Sequence, residues 1–409
     1  MIKVESICKR GCFMDETYTK RLEIEIWNMA KELDKNEDFS KVIDFLNSKE
    51  GFQPFGKRLA VFIAKKLDLD STDRKTLVQA LNEACGKTRV DLSKIASDGT
   101  LRNWFDKDKR PKKGEDSRFS MFALAFALRL SVEETKELFH KIFLDRAFNY
   151  RNEKEVIYYF CLKNNKTWAD VKRMIAEVEN MTIETSDHTQ LTNVIATNVD
   201  TMSDEKVLLE YIRENGHSFE KNSVTAKEKF SYFLEQAKKY AKEEVEKSRE
   251  NEDEYYIDEN NKKKKLKQSY SGKWIKKFSN DLLYEIITRK NVVGKRGTKT
   301  VFKNAELPKE IKQRFPEAIT FGKEDMTSEE YRKAIVLLFS YYVWYKAEYI
   351  QRDYGFDDYY YELDDLLDKC NLPNLYFGNP FDWLFLFCSQ DESPLYIFRE
   401  ILSKALPKD

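Results

Sequence analysis

Apolar side chains recur three or four residues apart along most of this chain, which is the spacing of one face of an α-helix. In the stretch ETYTKRLEIEIWNMAKELD and the DFSKVIDFLNSK that follows soon after, this spacing predicts two amphipathic helices within residues 16–48. The same pattern predicts two helices within 147–180 and further helices over 57–67, 121–130, 204–217, 224–247, 269–289, 329–349, 359–370 and 380–402, the last of these with a break near Asp391 as an alternative. A mainly helical protein is therefore expected.

Polar residues just before several apolar runs are typical helix N-caps, because their side-chain oxygens accept hydrogen bonds from the free N–H groups of the first turn. Ser131 precedes the run VEETKELF, and Thr167 precedes WADVKRMI. Ser71 or Thr72 is the predicted cap of an earlier helix. Each of these residues predicts where a helix begins.

Two stretches lack the helical pattern. The sequence NVVGKRGTKTVF predicts a small β-hairpin over residues 291–303, because β-branched residues flank a turn with two glycines. Its cations Lys295, Arg296 and Lys299 are candidates for contact with phosphates or with a minor groove. The stretch 182–203 is polar and is interpreted as a linker or a partly extended crossing.

Composition supports a helical fold class. Glycine and proline are scarce, with 13 and 8 residues among 409, and few helix breakers favour an all-α protein over a sandwich or barrel. At this length several domains are expected. We divide the chain into N-terminal helices 1–56, a helix-turn-helix-like module 57–145, a helical domain 146–247, a charged linker 248–268, and an aromatic-rich helical domain 269–409 that carries the basic hairpin.

Charge and hydropathy argue against a globally basic nucleic-acid-binding protein and against a secreted or membrane-spanning one. The chain has 71 basic and 71 acidic residues, so any site for nucleic acid must be a local patch. The first residues, MIKVESICKRGCFMDE, lack the apolar core of a signal peptide, and no apolar run is long enough to span a bilayer. We expect a cytoplasmic protein without a membrane partner.

The segment that begins at Asp98 with DGTLRNWFDKDKRPKKGEDSRFSMFALAFALRLSVEE is the most informative. It predicts a short polar helix, then a basic turn, then an apolar helix that ends near Leu130. Trp104 and Phe105 are expected to hold the short helix against the apolar one. A small polar helix beside a basic turn is the arrangement with which a helix-turn-helix module enters a DNA groove.

This segment resembles the second half of the lambda-repressor-like (Cro/Xre) fold, in which a Gly-Lys-Arg-x-Pro turn follows the recognition helix and the next helix ends in Leu-Gly-Leu-Ser. Here the turn is DKDKRPKK and the closing phrase is AFALRLSVEE, with Arg129 at the glycine position. No scanning helix with a small-residue turn precedes Thr100. Over 75–402 the chain also resembles a family of uncharacterised bacterial helical proteins, through AFNYRNEKEVIYYFCL and NPFDWLFLFC.

The resemblance and the residue types together predict a DNA interface. Base contacts are expected from Thr100, Arg102 and Asn103, because arginine pairs with guanine and asparagine with adenine in the major groove. Phosphate contacts are expected from the cations of the basic turn: Lys107, Lys109, Arg110, Lys112 and Lys113. Binding through these cations would depend strongly on salt.

Sequence motifs for catalysis and for metal binding are missing. The chain has no Walker loop, no GxGxxG after a strand and no GxSxG elbow. None of its three histidines has a partner at metal-ligand spacing, and Cys8 and Cys12 have no second pair to complete a zinc site. Arg213 and His217 are too close in sequence for the Arg-x(4–6)-His motif of HEPN-type helical nucleases. We expect a non-enzyme without cofactor or metal.

The preferred interpretation is a non-catalytic protein that binds double-stranded DNA, either a transcriptional regulator or a factor of a mobile element. The main alternative is a protein–protein interaction scaffold, such as an accessory phage-defence component with a vestigial helix-turn-helix, and a helical nuclease ranks third. The aromatic helices within 329–402 are interpreted as buried core or as a surface for a homodimer or protein partner.

Overall fold

The computed structural model describes residues 24–25, 28–29, 38–49, 51–95, 97–107, 111, 115–182, 190–219, 224–250, 255–257, 263–265, 280–288, 305–312, 326–350 and 354–406. Over these residues the fold class is all-α, as predicted, apart from one short two-stranded ribbon. The predicted basic hairpin 291–303 lies outside the described residues. No helix in the described part of the chain is both long and apolar enough to cross a membrane.

The described residues in the first half of the chain form a succession of helices. In order these are α1 (Phe39–Asn47), α2 (Phe55–Lys66), α3 (Arg74–Thr88), α4 (Leu92–Ile95), α5 (Asp98–Phe105), α6 (Glu115–Ala127), α7 (Val132–Glu137), α8 (Glu153–Lys163), α9 (Trp168–Glu179), α10 (Thr192–Thr201) and α11 (Glu205–Glu214). A π-helix, Leu138–Phe143, continues α7, and a 3₁₀ turn, Gly216–Ser218, follows α11.

The second half contains longer helices. In order the elements are α12 (Val224–Glu250), β1 (Tyr255–Ile257), β2 (Lys263–Lys265), α13 (Asn280–Thr288), α14 (Lys309–Lys312), α15 (Ser328–Ile350), α16 (Phe356–Lys369), α17 (Pro380–Cys388) and α18 (Pro394–Ala405). The two strands pair antiparallel, with Tyr256 opposite Lys264.

The chain folds into two compact units, each made of segments that are far apart in sequence. Unit 1 comprises residues 1–23, 53–223 and 371–378. Unit 2 comprises residues 24–52, 224–370 and 379–409. Among the described elements, unit 1 thus holds α2 to α11, and unit 2 holds α1 and everything from α12 onward.

Helix α6 lies at the centre of unit 1. Every residue from Met121 to Leu128 is buried, and a helix that is apolar on all sides is one that other helices surround. The ring of Phe122 stacks on that of Tyr158 with centroids 4.5 Å apart, which joins α6 to α8. One continuous apolar core extends from α2 through α6 to α11.

In unit 2 the side chain of Trp344 on α15 lies at the centre of the core. Its ring lies 5.9 Å from that of Tyr359 on α16, 5.8 Å from Phe385 on α17 and 5.6 Å from Phe398 on α18. Its indole N–H donates to the Ser389 hydroxyl at 3.1 Å. The aromatic residues that crowd the C-terminal sequence therefore lie largely in the core of this unit.

The local capping signals were informative but not always exact in position. Ser131 and Thr167 cap α7 and α9, each in a capping box, as predicted. The prediction of Ser71 or Thr72 is wrong, because Asp73 caps α3 by accepting hydrogen bonds from the backbone N–H groups of two first-turn residues. The prediction that 182–203 is a linker is wrong over α10, which is a helix that buries Ile195 and Val199. The helical pattern was missed because these few apolar residues are surrounded by polar ones.

Candidate nucleic-acid interface

The short helix α5 presents two different faces. Ser97 caps it by accepting the N–H of Thr100 at 3.3 Å. Leu101 and Trp104, three residues apart, are both buried, so this side of α5 faces the core. The opposite side carries Arg102, whose side chain is 64% exposed, and the half-buried Asn103.

A tight contact with α2 holds α5 in place. The ring of Phe55 meets the indole of Trp104 edge-on, with centroids 6.0 Å apart. Next to Phe55, Gly56 leaves no space for a side chain, because a Cβ atom there would overlap the carbonyl oxygen of Trp104. The two backbones therefore touch, and only a glycine permits that approach.

Three charged residues meet at the outer face of α5. Asp106 follows the helix directly, and its backbone N–H donates to the carbonyl of Arg102 at 3.0 Å. Its Oδ2 lies 3.8 Å from Nε of Arg102, one turn earlier, and 3.3 Å from Nε of Arg74 at the start of α3. All three side chains are substantially exposed, so this charge cluster lies at the protein surface.

The structure brings together the three residues predicted to contact bases. Arg102 and Asn103 lie on the outer side of α5, and Thr100 lies at the edge of that side, where its hydroxyl is 3.0 Å from that of Ser97. Lys107, which begins the basic turn, is exposed. The remaining predicted phosphate contacts lie outside the described residues, namely Lys109, Arg110, Lys112 and Lys113.

The predicted secondary site on the basic hairpin also lies outside the described residues. It consists of Lys295, Arg296 and Lys299. Arg74 and Asp106 were missed by the sequence reasoning. Asp106 carries a local signal, since it stands four residues after Arg102. Arg74 carries none, because it belongs to a different helix.

Helix α6 ends with a non-glycine residue in the left-handed region. Arg129 has φ near +51°. Its N–H donates to the carbonyl of Phe126 at 3.2 Å, and the N–H of Leu130 donates to that of Ala125 at 2.9 Å. This pair of bonds is the Schellman motif, which glycine favours.

A buried arginine fixes α6 against α8. Nε and Nη2 of Arg118 donate to the two carboxylate oxygens of Glu155 at 2.6 and 2.7 Å, and Nη1 donates to Asp145 at 3.0 Å. Burial acts to lower the pKa of Arg118, but the two carboxylates outweigh it and hold that pKa above its usual range. The guanidinium is fully committed to this network and belongs to the scaffold.

The residues that could suggest nuclease chemistry have structural surroundings. Arg213 forms an ion pair with Glu210 one turn before it on α11. Nε2 of His217 lies 3.3 Å from the Ser218 hydroxyl, and the carbonyl of Ser218 accepts from the buried Arg151 at 2.6 Å. Within the described residues, no three His, Cys, Asp or Glu side chains are grouped so that they could hold a metal ion.

The aromatic C-terminal helices leave few side chains for a partner surface. Tyr341, Trp344 and Tyr345 are buried in unit 2, whereas Tyr361 and Tyr396 are exposed. A homodimer or protein partner at this end therefore remains a prediction, and it would have to use the exposed tyrosines.

Comparison with protein-family models, with curated proteins and with solved structures gives no match to this chain. The fold and the geometry of the α5 surface are therefore the basis for inferring a function.

Proposed function

We propose that this protein is a non-catalytic, double-stranded DNA-binding protein that contacts DNA through α5 and the basic turn that follows it. The observation that carries the proposal is the division of α5 into a buried face, with Leu101 and Trp104, and an opposite polar face, with the exposed Arg102 and the half-buried Asn103. A recognition helix needs this division, because it must be held firmly from behind while its polar side chains reach base edges.

The residue types on the polar face suit a DNA groove. Arginine donates two parallel hydrogen bonds to the O6 and N7 atoms of guanine, and asparagine pairs in the same way with adenine. Thr100 at the edge of this face can contact a base or a phosphate. Three such side chains within one turn match the number with which a single recognition helix usually reads a site.

The sequence of the basic turn supplies the electrostatic part of the proposal. Five cations lie within residues 107–113, in a chain whose net charge is +0. A local positive patch on a neutral protein attracts the DNA backbone only where the patch is presented. Binding would thus be directed to the α5 surface and would weaken steeply as salt rises.

The first test is binding of the purified full-length chain to random-sequence duplex DNA from about 50 to 200 mM salt, followed by selection of preferred sites. The variant with Lys109, Arg110 and Lys112 all changed to Ala should bind much more weakly at about 200 mM salt, and its log–log salt slope, measured at lower salt, should fall by about 3. The matched control changes Lys172, Lys206 and Lys227, which are exposed lysines on α9, α11 and α12, to Ala.

The control removes the same charge from other surfaces and should bind as the wild-type protein does. Equal weakening of both variants would mean that only net charge matters, and the α5 surface would lose its assigned role. No binding of wild-type protein at low salt would overturn the proposal and favour a protein–protein scaffold.

A further inference from the structure

The charge cluster at the end of α5 contains an acidic residue in a place that disfavours one. Asp106 stands at the C-terminal end of the helix, where the free carbonyl groups carry partial negative charge. It also begins a run of cations that would face phosphates. A carboxylate here opposes both the helix dipole and DNA binding, so its compensating interaction lies with Arg74 and Arg102.

The geometry of these ion pairs leaves the Nη1 and Nη2 groups of Arg102 available for a contact with a base. The carboxylate approaches Nε of the guanidinium, on the side nearest the chain. The Nη1 and Nη2 groups form the far end of the guanidinium, and no described residue pairs with them. Those two groups are the ones that donate to guanine O6 and N7 in a bidentate contact.

Arg74 completes the cluster from a second helix. Because its Nε lies 3.3 Å from the same Oδ2 atom, the carboxylate of Asp106 is held between α3 and α5. An arginine side chain on a helix surface otherwise samples many rotamers and loses that freedom on binding. A carboxylate beside Nε favours the rotamers that keep the ion pair, so less freedom is lost on binding and the contact is stronger.

We propose that Asp106 is a specificity-determining residue, whose carboxylate, anchored by Arg74, orients Arg102 to recognise a guanine in the major groove. This inference rests on the proposed function and adds a ligand class, a guanine base edge, and a positioning residue. The proposal gives Asp106 two opposite effects on DNA binding. Asp106 should improve discrimination between bases while it slightly weakens attraction to the DNA backbone.

The experiment compares affinities for the selected duplex and for the same duplex with its contacted guanine changed to adenine. We expect R102A to remove the discrimination between the two duplexes. D106N should lower that discrimination about two- to fivefold, the range expected for an exposed ion pair, while affinity for random duplex DNA is unchanged or rises. In the double variant R102A/D106N, D106N should have no further effect on discrimination.

The matched control is D116N, which removes one exposed carboxylate from the first turn of α6 that pairs with no described residue. It should leave discrimination at the wild-type value. The inference is overturned if D106N and D116N behave alike, if D106N weakens both duplexes equally, or if R102A leaves discrimination intact. DNA binding without any selected site would also overturn it, yet would leave the proposed phosphate contacts standing. Loss of all DNA binding by the wild-type protein would instead overturn the proposed function.

Discussion

The backbone of Trp104 occupies the space that a side chain at residue 56 would need. A Cβ atom placed on Gly56 would overlap the carbonyl oxygen of Trp104 and would lie 3.0 Å from its carbonyl carbon. The atoms in the way belong to a main chain, so they cannot rotate aside as the end of a flexible side chain can. The close packing of α5 on α2 thus requires glycine at residue 56.

Gly56→Ala should therefore destabilise the protein and displace α5. We expect a loss of about 1–3 kcal/mol in the free energy of unfolding, which is typical of an inserted methyl group in a packed interior. DNA affinity should fall with it, because Arg102 moves with the helix. Urea unfolding and anisotropy with labelled duplex DNA measure the two effects.

Gly86→Ala is the matched control for this substitution. Gly86 lies within α3, and apart from its chain neighbours and the backbone of its own helix no atom lies within 4 Å of the position a Cβ would take. This variant should be more stable than wild-type protein by about 0.5–1 kcal/mol, because alanine favours a helix interior more than glycine does. Equal effects at the two positions would contradict the assigned contact between α2 and α5.

Arg129→Gly should stabilise unit 1. Arg129 holds φ near +51°, a conformation that glycine adopts without the steric penalty borne by other residues. We expect a gain of about 0.5–1 kcal/mol in the free energy of unfolding, less than the full penalty because glycine also makes the unfolded chain more flexible. Lys172→Gly, within α9, should instead destabilise the protein; a loss of stability in both variants would rule out the predicted relief of strain.

Glu134→Gln should reduce stability at neutral pH but not in acid. Lys66 Nζ lies 2.6 Å from the Glu134 carboxylate, and hydrogen bonds from Lys66 and Ser131 outweigh burial to hold the pKa of Glu134 below its usual value. A carboxylate with a lowered pKa stabilises the folded state above the unfolded pKa of about 4.3, and this contribution is lost as pH falls through the folded pKa.

The expected difference between wild-type protein and Glu134→Gln is about 1 kcal/mol at pH 7, and it should shrink as pH drops below about 4. Urea unfolding at several pH values between 7 and 3 measures it. Glu133→Gln is the control, because that side chain is 76% exposed in its pair with Lys136 and should contribute little. A difference for Glu134→Gln that stays constant with pH would show that the ion pair is not its cause.

Asp382→Asn should destabilise unit 2 strongly. Its carboxylate accepts two hydrogen bonds from Arg332, at 2.7 and 2.9 Å, and both side chains are buried. Removal of the negative charge takes the bidentate carboxylate partner away from a buried guanidinium, which costs about 3–5 kcal/mol. Replacing the pair together, with Arg332→Met and Asp382→Leu, should cost less than the single change in urea unfolding; a double variant that is less stable than Asp382→Asn would falsify this account.

Periodicity predicted most of the helices because their signals are local. Ser131 and Thr167 each sit directly before an apolar run, and each proves to be an N-cap. The cap of α3 was placed wrongly within the run Ser-Thr-Asp, in which each residue type is a good cap, and the Ser71 hydroxyl instead donates to the Asp73 carboxylate. The sequence alone does not show which of three adjacent residues, all suitable as N-caps, caps the helix.

The candidate site was only partly accessible to sequence reasoning. The apolar and polar residues of α5 lie within eight consecutive positions, so the exposure of Arg102 could be predicted together with the burial of Leu101 and Trp104. Arg74 contacts the carboxylate of Asp106, which also lies beside Arg102, from 32 positions earlier in the chain. Such a meeting depends on how α3 and α5 pack, which no local pattern encodes.

The packing of α1 has a consequence for the newly made chain. Its apolar side, with Phe39 and Leu46 among the buried residues, is covered in part by α18, where the rings of Phe39 and Tyr396 lie 6.5 Å apart. The ribosome must add more than 350 residues between those two positions. At 5–20 residues per second this takes about 20–70 seconds, and for that time the apolar side of α1 lacks the cover that α18 later provides.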